Sequence, residues 1–312
     1  MGMNDHSGTT DHAERFTLLR PLLFTIAYEI LGSATESDDV LQDSYLRWSR
    51  VDLTIVRDTK SYLAQLVTRQ ALNAARAGSR RREEYVGPWL PEPLLISEQD
   101  AAADMVLAES VSMGMLVLLE TLTPDERAIF VLHEVFGFAY DEIGSAIGKS
   151  ATAVRQMAYR ARAHIQARRN RFGPVDSART ADLTERFLTA AATGDLSGLL
   201  ALLAPDVAFT TDSGGKVTAA SQRALGAQDV ATIVIDVFRM IGRVPGLRLE
   251  SVTYNHTPAI AIYDGDRQEA ACLIESAEGK ISNLYIIRNP DKLATLTVPR
   301  TITRNDPDAG LE

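Results

Sequence analysis

The sequence predicts a multidomain fold in which two all-α domains, the second with a helix-turn-helix, precede one α+β domain. Apolar residues recur at helical spacing through most of the chain up to Arg171. Gly148 and Ser150 place a turn signal between two of these helical stretches. After Pro205, short runs of alternating apolar and polar residues predict β-strands. A chain of 312 residues is long enough for two or three such domains.

The first all-α domain is predicted to contain three helices, preceded by a disordered tail at residues 1–13. The first helix spans Glu14–Leu31, where apolar residues recur at helical spacing. The second follows Ser37, which can cap it, and has an apolar face opposite an acidic face. The third runs from Thr59 to about Arg80, with Tyr62 among its inward residues and arginines on its outer side.

Charge is distributed unevenly along the chain. The formal net charge is -9, with Lys+Arg 32 against Asp+Glu 41, so the molecule as a whole repels nucleic acid. Two segments are locally basic, because Lys60–Arg82 has six basic and no acidic residues, and Ser150–Val175 has six arginines and no acidic residue. Between them, Glu83–Glu126 has ten acidic residues and no Lys or Arg. These two basic segments are where phosphate contacts are expected.

The residues from Tyr140 to Arg171 predict the helix-turn-helix. Ile143, Ala146 and Ile147 form one apolar stripe, after which Gly148 offers a left-handed stop. Ser150 can cap a second helix with its own apolar stripe, so its polar residues project elsewhere. The polar side includes Arg and Gln, which make paired hydrogen bonds to base edges. The pattern favours DNA binding, and the alternative is an ordinary helical hairpin whose arginines are solvated.

The segment between the two helical domains has an unusual composition for a linker. It reads YVGPWLPEPLLISEQDAAADMVLAE, and its prolines at 88, 91 and 93 exclude a continuous helix. Trp89, Leu90, Leu94 and Leu95 make it too apolar for a flexible spacer in water. Two interpretations remain open at this point, docking into a groove and local packing on a flanking helix.

The residues after Ala178 predict helices packed on a curved antiparallel sheet. The runs TADLTERFLTAAATGD and LSGLLALLA predict two helices, and residues Gln228–Ile241 predict a third. The alternating runs LRLESVTYN, AIAIYDGD, QEAACLIES and KISNLYIIRN, together with VAFTTDSGGKV, predict the strands.

The cysteine count and the hydropathy of the chain indicate the cellular compartment in which the protein is expected. Cys272 is the sole cysteine, which excludes an internal disulfide and a zinc cluster based on cysteine. No apolar run reaches the length of a membrane span, and the polar N-terminus lacks the apolar core of a signal peptide. We therefore expect a cytoplasmic protein with no membrane partner.

Several ordered runs resemble a known family. RPLLFTIAYEILGSATESDDVLQDSYLRW and YLAQLVTRQALNAARAGSRRREEYVGPWLPEP resemble the second region of extracytoplasmic-function (ECF) RNA polymerase sigma factors. LTPDERAIFVLHEVFGFAYDEIGSAIGKSATAVRQMAYRARAHI resembles their fourth region. The C-terminal part resembles the SnoaL-like group of cone-shaped α+β barrels related to nuclear transport factor 2. The implied domains are sigma region 2 at 14–84, a linker at 85–112, sigma region 4 at 113–172, a connector at 173–180, a SnoaL-like regulatory domain at 181–297 and a tail at 298–312.

The resemblance implies a transcription initiation factor whose SnoaL-like domain modulates its activity in cis. Its implied partners are promoter DNA and core RNA polymerase, contacted through the β′ clamp helices and the β flap. It implies no cofactor and no metal, and it requires no separate anti-sigma factor. It leaves open an unidentified small ligand of the C-terminal domain.

The resemblance also assigns residues to each partner. Those implied for the −35 element are Ser150, Thr152, Arg155, Gln156, Tyr159, Arg160 and Arg162. Those implied for the −10 element are Lys60, Tyr62, Arg69, Asn73, Arg76 and Arg80. Those implied for polymerase docking are Asp38, Asp39, Gln42, Asp43 and Arg47. Trp48 and Tyr62 are able to stack on bases, but their helical spacing favours a place in the core.

A regulatory contact is expected between the linker and two motifs of the C-terminal domain. The linker motif is Trp89, Leu90, Pro91, Glu92 and Pro93, and the terminal motif, expected to be exposed, is Asn289, Pro290, Asp291, Lys292 and Leu293. The DGGGK motif that is usual in ECF sigma factors with a fused SnoaL-like domain stands here as Asp212-Ser213-Gly214-Gly215-Lys216. The departure at Ser213 weakens the transfer of its role. The contact is able either to hold the two DNA-binding parts at a fixed spacing or to keep them apart.

The alternative function is a one-component helix-turn-helix regulator fused to a small-molecule-binding or isomerase-like or cyclase-like enzyme domain. Its ionisable candidates are Asp212, Lys216, Tyr254, His256 and Glu269. No pair among them has the spacing of a particular acid–base mechanism, and His256 is expected at the surface of a turn. A simple regulator needs no polymerase-docking segment, so we expect an initiation factor and no enzymatic activity.

Overall fold

The computed structural model describes residues 5–97, 104–169, 177–217 and 223–305. The chain separates into two compact units. Unit 1 contains Met1–Arg81, Leu119–Ile165 and Thr301–Glu312, and unit 2 contains Arg82–Leu118 and Gln166–Arg300. The acidic, proline-containing linker therefore folds with the C-terminal residues.

The first half of unit 1 is helical. It comprises α1 (Asp5–Leu31), α2 (Ala34–Trp48), a 3₁₀ turn (Leu53–Ile55) and α3 (Thr59–Glu83). The helix α1 extends into the segment expected to be a disordered tail, so that Pro21 lies inside it. Tertiary contacts account for the extension, because the buried His12 packs edge-on against Trp48 at 5.1 Å and its carbonyl accepts a 2.9 Å hydrogen bond from the Trp48 indole.

Two details of this half differ from the expectations. Ser33 rather than Ser37 caps α2, since the Ser33 hydroxyl accepts a 3.1 Å hydrogen bond from the amide of Glu36. Trp48 is fully buried, as its helical spacing favoured, whereas Tyr62, which was expected to face inward, is 37% exposed. The reason is that Trp48 already fills the core beside it, with the two rings 5.6 Å apart.

The second half of unit 1 contains the helix-turn-helix. It comprises α6 (Pro124–Phe130), a π-helical turn (Val131–Val135), α7 (Tyr140–Ile147) and α8 (Ala151–Arg169). Gly148 ends α7 in the left-handed conformation at φ 74°, and its amide donates to the carbonyl of Gly144. This confirms the predicted turn. Thr301–Asn305 also belong to unit 1, and within this part of the predicted C-terminal tail Ile302 is buried.

Unit 2 is an α+β domain. Its helices are α4 (Met105–Ser110), α5 (Met113–Leu119), α9 (Ser177–Thr193), α10 (Leu196–Leu202), α11 (Ala227–Ile241) and α12 (Pro290–Leu293). Its strands are β1 (Leu203–Asp212), β2 (Ala224–Leu225), β3 (Leu247–Tyr254), β4 (Thr257–Asp264), β5 (Arg267–Ala277) and β6 (Lys280–Ile287). The strand order is β2-β1-β6-β5-β4-β3.

The sheet is mixed, which corrects the expectation of a purely antiparallel one. The strands β1 and β6 are parallel and the other neighbours are antiparallel. The helix α11 leads the chain from β1 to the far edge of the sheet, so the hairpins β3 to β6 end beside β1. Both faces of the sheet are covered, because Cys272 and Ile274 pack towards α9 and α11, whereas Ala271 and Leu273 pack towards linker residues. Within the described residues, no helix combines the length and the apolar character needed to cross a membrane.

Candidate functional site

The helix α8 presents a polar face to solvent. In its predicted apolar stripe, Met157 is half-buried, and the buried residues are Val154, Ala158, Ala161 and Ile165. The residues on the opposite side, all of them exposed, are Thr152, Arg155, Gln156, Tyr159 and Arg160. A helix with exposed Arg and Gln at its N-terminal end has the dimensions and the donors needed to read base edges in a major groove.

Local contacts orient this face. The Ser150 hydroxyl accepts a 3.3 Å hydrogen bond from the amide of Ala153 and so starts the helix. The Arg155 guanidinium lies 5.4 Å from the centroid of the Tyr140 ring. Arg162 differs from the others, because its guanidinium bonds the Glu134 carboxylate, which raises the pKa of Arg162. It is therefore committed to an intramolecular ion pair.

The basic side of α3 is engaged by the helix-turn-helix within unit 1. The Arg69 guanidinium donates to the carbonyls of Ala146 at 3.3 Å and Ser145 at 3.4 Å, near the C-terminal end of α7. Arg76 pairs with Asp125 at 2.6 Å. Asn73 lines the groove between α3 and the C-terminal end of α7. Two arginines implied for −10 contacts are thus occupied by acceptors from the same chain.

The charges around Asp125 support this arrangement. Lys149 approaches the same carboxylate at 3.2 Å, on its other oxygen. Burial raises the pKa of Asp125, but the hydrogen bonds and charges of Arg76 and Lys149 outweigh it, so the net pKa is lowered. Lys60 is half-buried, and the side chain of Arg80 lies outside the described residues.

The acidic side of α2 is largely open. Asp39, Gln42, Asp43 and Arg47 are exposed on the described surface of this helix. Asp38 is set apart from them, because it forms a 3.0 Å ion pair with Arg20 of α1.

In unit 2, a buried ion pair joins the C-terminal end of β1 to α12. The Lys292 ammonium lies 2.7 Å from the Asp212 carboxylate, and their side chains are 6% and 0% exposed. The linker completes the pair, since the amide of Leu90 donates to Asp212 at 2.8 Å and the carbonyl of Leu90 accepts from Lys292. Burial lowers the pKa of Lys292, and the charge of Asp212 acts in the opposite direction. Both ions are therefore held by the backbone of one linker residue.

Tyr85 adds a second linker contact, which the sequence analysis missed. Its hydroxyl donates to Asp212 at 2.5 Å and accepts from the Asn289 side chain at 2.8 Å. Burial and the neighbouring Asp212 raise the pKa of Tyr85. The available signal was an aromatic hydroxyl directly before a proline-stiffened apolar segment.

The glycines of the Asp212–Lys216 loop allow the linker to approach. Gly214 and Gly215 have φ values of +59° and +69°, and a Cβ at Gly214 would lie 2.6 Å from the Asn289 amide nitrogen and 2.9 Å from the Tyr85 hydroxyl. Ser213 is not among the non-glycine residues with positive φ. The departure from the usual motif therefore falls where the backbone accepts a side chain.

Two cations contact the Trp89 ring. The Arg82 guanidinium is 4.0 Å from its ring centroid, and the Lys292 ammonium is 4.2 Å from it. Pro91 and Pro93 are buried. The terminal motif is also buried at Asn289, Lys292 and Leu293, which corrects the expectation of an exposed motif, because linker residues cover it.

Asn255 holds the next part of the linker and was also missed by the sequence analysis. Its side-chain oxygen accepts a 2.7 Å hydrogen bond from the backbone amide of Leu94, and its backbone amide donates to the carbonyl of Leu94 at 3.0 Å. Its side-chain nitrogen donates to the carbonyl of Val111 at 2.7 Å. Its φ of 51° is one that asparagine tolerates better than most residues.

Comparisons with known proteins agree with these features. The Sigma-70 region 2 family matches residues 16–81, and the Sigma-70, region 4 family matches residues 113–165. The ECF RNA polymerase sigma factor SigJ of Mycobacterium tuberculosis is 35% identical over 289 residues, which cover 89% of this chain and 91% of the relative. The chain belongs to the ECF sigma factors.

Further comparisons extend the likeness to the whole chain. The probable ECF RNA polymerase sigma factor SigI of Mycobacterium tuberculosis is 28% identical over 279 residues, covering 89% of this chain and 93% of the relative. The crystal structure of Mycobacterium tuberculosis SigJ aligns with a TM-score of 0.72 at 30% identity, covering 91% of this chain and 98% of that chain. This ECF sigma factor therefore directs transcription by binding core RNA polymerase and promoter DNA, and its C-terminal domain is SnoaL-like.

The sigma factor also contains a buried carboxylate beneath α5. Glu275 of β5 accepts a 2.5 Å hydrogen bond from the amide of Gly114, and further hydrogen bonds from Tyr285 at 3.3 Å and Asn283 at 3.4 Å. A Cβ at Gly114 would overlap this carboxylate, so glycine is required for the contact. Burial raises the pKa of Glu275 to about 7, against the effect of these donors.

The groups considered for catalysis take part in structural contacts. Asp212 pairs with Lys292, Lys216 with Asp291, and Glu269 with Arg267 at 2.6 Å. The hydroxyl of Tyr254 accepts from Gln268 at 3.1 Å. His256 lies in the predicted turn but is buried rather than at the surface, because the turn folds against the rest of the domain.

Proposed function

We propose that this ECF sigma factor reads the −35 promoter element with α8 and the −10 element with α3, and docks on polymerase through α2. We further propose that its SnoaL-like domain controls it in cis through the linker, so that no separate anti-sigma factor is required. It acts in the cytoplasm, where it contacts the β′ clamp helices and the β flap of core polymerase.

The assignment of α8 is supported by the exposure of its polar face. Arg155, Gln156 and Arg160 sit on consecutive turns opposite the buried residues of the apolar stripe. Arg160 has a carboxylate neighbour, Glu126, only at 3.8 Å, so its guanidinium remains able to bond DNA. Such residues give base contacts worth about 1 to 3 kcal/mol each.

The assignments of α2 and α3 are supported by charge. The exposed acids Asp39 and Asp43 lie one helical turn apart and give α2 a negative face for a basic partner. The arginines of α3 form a positively charged surface, and their present acceptors are backbone carbonyls and the Asp125 carboxylate. Exchange of these acceptors for promoter phosphates requires region 4 to move away from α3.

The single observation that carries control in cis is the buried Asp212–Lys292 pair, with both ions bonded to the backbone of Leu90. Such a contact has a defined geometry, because an unpaired charge at either position would be costly in a buried site. Linker position and domain structure therefore depend on one another.

Transcription in vitro with purified core polymerase tests these proposals. The full chain is compared with a chain ending at Arg171, on a promoter selected from a randomised pool. We expect both to initiate from the same promoter but at different levels. If the shorter chain, folded by circular dichroism, matches the full chain at every concentration, the domain exerts no control.

A double-mutant cycle tests the linker contact. Trp89→Ala and Lys292→Met each remove one partner of the same cation–π contact, so their effects on promoter output are expected to be less than additive. Trp89→Ala combined with Lys216→Met serves as the matched control, because Lys216 belongs to an exposed ion pair nearby. Full additivity in the first cycle would mean that the two motifs act separately.

A further inference from the structure

The residues that follow unit 2 contact both DNA-binding parts of unit 1. The amide of Thr303 donates a 3.1 Å hydrogen bond to the Thr25 hydroxyl of α1, which belongs to region 2. The Arg304 guanidinium donates to the carbonyl of Val135 at 3.5 Å, in the π-helical turn of region 4. Ile302, just before them, is 1% exposed. The segment Thr301–Asn305, called the strap below, thus touches region 2 and region 4 at neighbouring residues.

The strap crosses an interface that is itself buried. The Arg127 guanidinium of α6 donates a 2.8 Å hydrogen bond to the carbonyl of Glu29 in α1. Arg127 is 3% exposed, and Thr25 and Glu29 are fully buried. The Thr25 hydroxyl also donates to the carbonyl of Pro21 at 2.7 Å, which fixes its oxygen as an acceptor for the strap. Regions 2 and 4 are therefore packed together, and the strap lies along their junction.

We propose that the strap clamps region 2 against region 4 in the free sigma factor, and that its release is required before α3 engages promoter DNA. The proposal rests on the −10 role assigned to α3, since the clamped arrangement is the one in which Arg69 and Arg76 bond region 4. The buried Ile302 and the hydrogen bonds of Thr303 and Arg304 form a local contact that can be exchanged for binding to polymerase.

The distance between the two regions tests the clamp without reference to DNA. Spin labels are placed at Thr17→Cys in α1 and Ala163→Cys in α8, both exposed, in a full chain carrying Cys272→Ala. Deletion of residues 301–312 is expected to lengthen and broaden the pulsed electron paramagnetic resonance distances. Deletion of residues 306–312, the matched control, leaves the strap in place and is expected to preserve them.

A point variant protects the test against misfolding of the truncated chain. Thr303→Pro removes the amide that donates to Thr25, whereas Thr303→Ala keeps it. Thr303→Pro is expected to lengthen the distances between the spin labels, and Thr303→Ala is expected to leave them unchanged. Distances that stay narrow in both the 301–312 deletion and Thr303→Pro would overturn the clamp.

Binding to single-stranded −10 DNA tests the consequence. The opened variants are expected to bind about fivefold or more tightly than the full chain. Opened distances without a gain in affinity would overturn the requirement for release. A gain that survives Arg69→Ala and Arg76→Ala in the opened chain would instead show that the −10 role of α3 is wrong, which separates the two failures.

Discussion

Arg155 of α8 and Lys292 of α12 are both cations in segments that the sequence singles out, yet their surroundings are opposite. Arg155 is exposed, with the Tyr140 ring 5.4 Å away. Lys292 is buried, bonded to Asp212 at 2.7 Å and lying 4.2 Å from the Trp89 ring. One cation is placed to meet a partner outside the chain, and the other has already met its partner inside it.

The difference shows how this sigma factor uses positive charge. An exposed arginine contributes little to folding and keeps its donors for DNA. A buried lysine must be paired, so it fixes the linker backbone at Leu90. The arginines of α3 are intermediate, because they are at the surface but bond region 4. Substitutions at these sites are therefore expected to separate stability from recognition.

The largest effect is expected from Lys292→Met. The substitution leaves the Asp212 carboxylate buried without its cation, so the free energy of unfolding should fall by about 3 to 5 kcal/mol. Urea unfolding of the full chain measures this. Lys216→Met is the control, since its pair with Asp291 is exposed and contributes about 1 kcal/mol or less. Equal losses in the two variants would remove the distinction between the buried and the exposed cation.

Arg155→Ala and Arg160→Ala are expected to act on recognition instead. Each should weaken promoter binding by about 1 to 3 kcal/mol if it contacts a base, and should leave the unfolding free energy unchanged. Loss of a phosphate contact would instead lower the affinity for all sequences and reduce the slope of the logarithm of the binding constant against the logarithm of the salt concentration by about 1. Titration of promoter variants at several salt concentrations distinguishes these cases, with Arg168→Ala as the control. Unchanged affinity in both variants would contradict the role of α8.

The double variant Asp39→Lys, Asp43→Lys tests whether exposed acidic residues of α2 also serve recognition rather than stability. Because both side chains are exposed, the pair should reduce competition for core polymerase by about tenfold without unfolding the protein. The control is Asp229→Lys with Asp236→Lys on α11, which carries the same change of charge on another exposed helix. A similar loss in the control would mean that net charge, rather than the face of α2, matters.

The last comparison concerns Glu275, whose pKa is raised by burial to about 7. A carboxyl with a raised folded-state pKa contributes stability that is complete below its ordinary pKa of about 4.3 and is lost as the pH rises through 7. The wild-type chain should therefore lose thermal stability between about pH 5 and pH 8, and Glu275→Gln should flatten this dependence. A slope that persists in the variant would assign the titration to another group.

Sequence patterns predicted the local parts of the site well. The apolar stripe of α8 and the stop at Gly148 depend on residues within a few positions of one another, and both are confirmed. Asn255 and Tyr85 were missed because their partners lie far along the chain, as in the hydrogen bond from Tyr85 to Asp212. No local periodicity marks such a contact.

The sequence by itself determined the helices, the helix-turn-helix and the membership of the ECF sigma factors, because backbone preferences, apolar spacing and ordered motifs are written in neighbouring residues. The tertiary structure alone decided that Lys292 is buried, that β1 runs parallel to β6, that α1 begins at Asp5 and that Ile302 is packed. These features arise where segments distant in sequence exclude water together, and burial changes the role of a charged or apolar side chain without changing its local pattern.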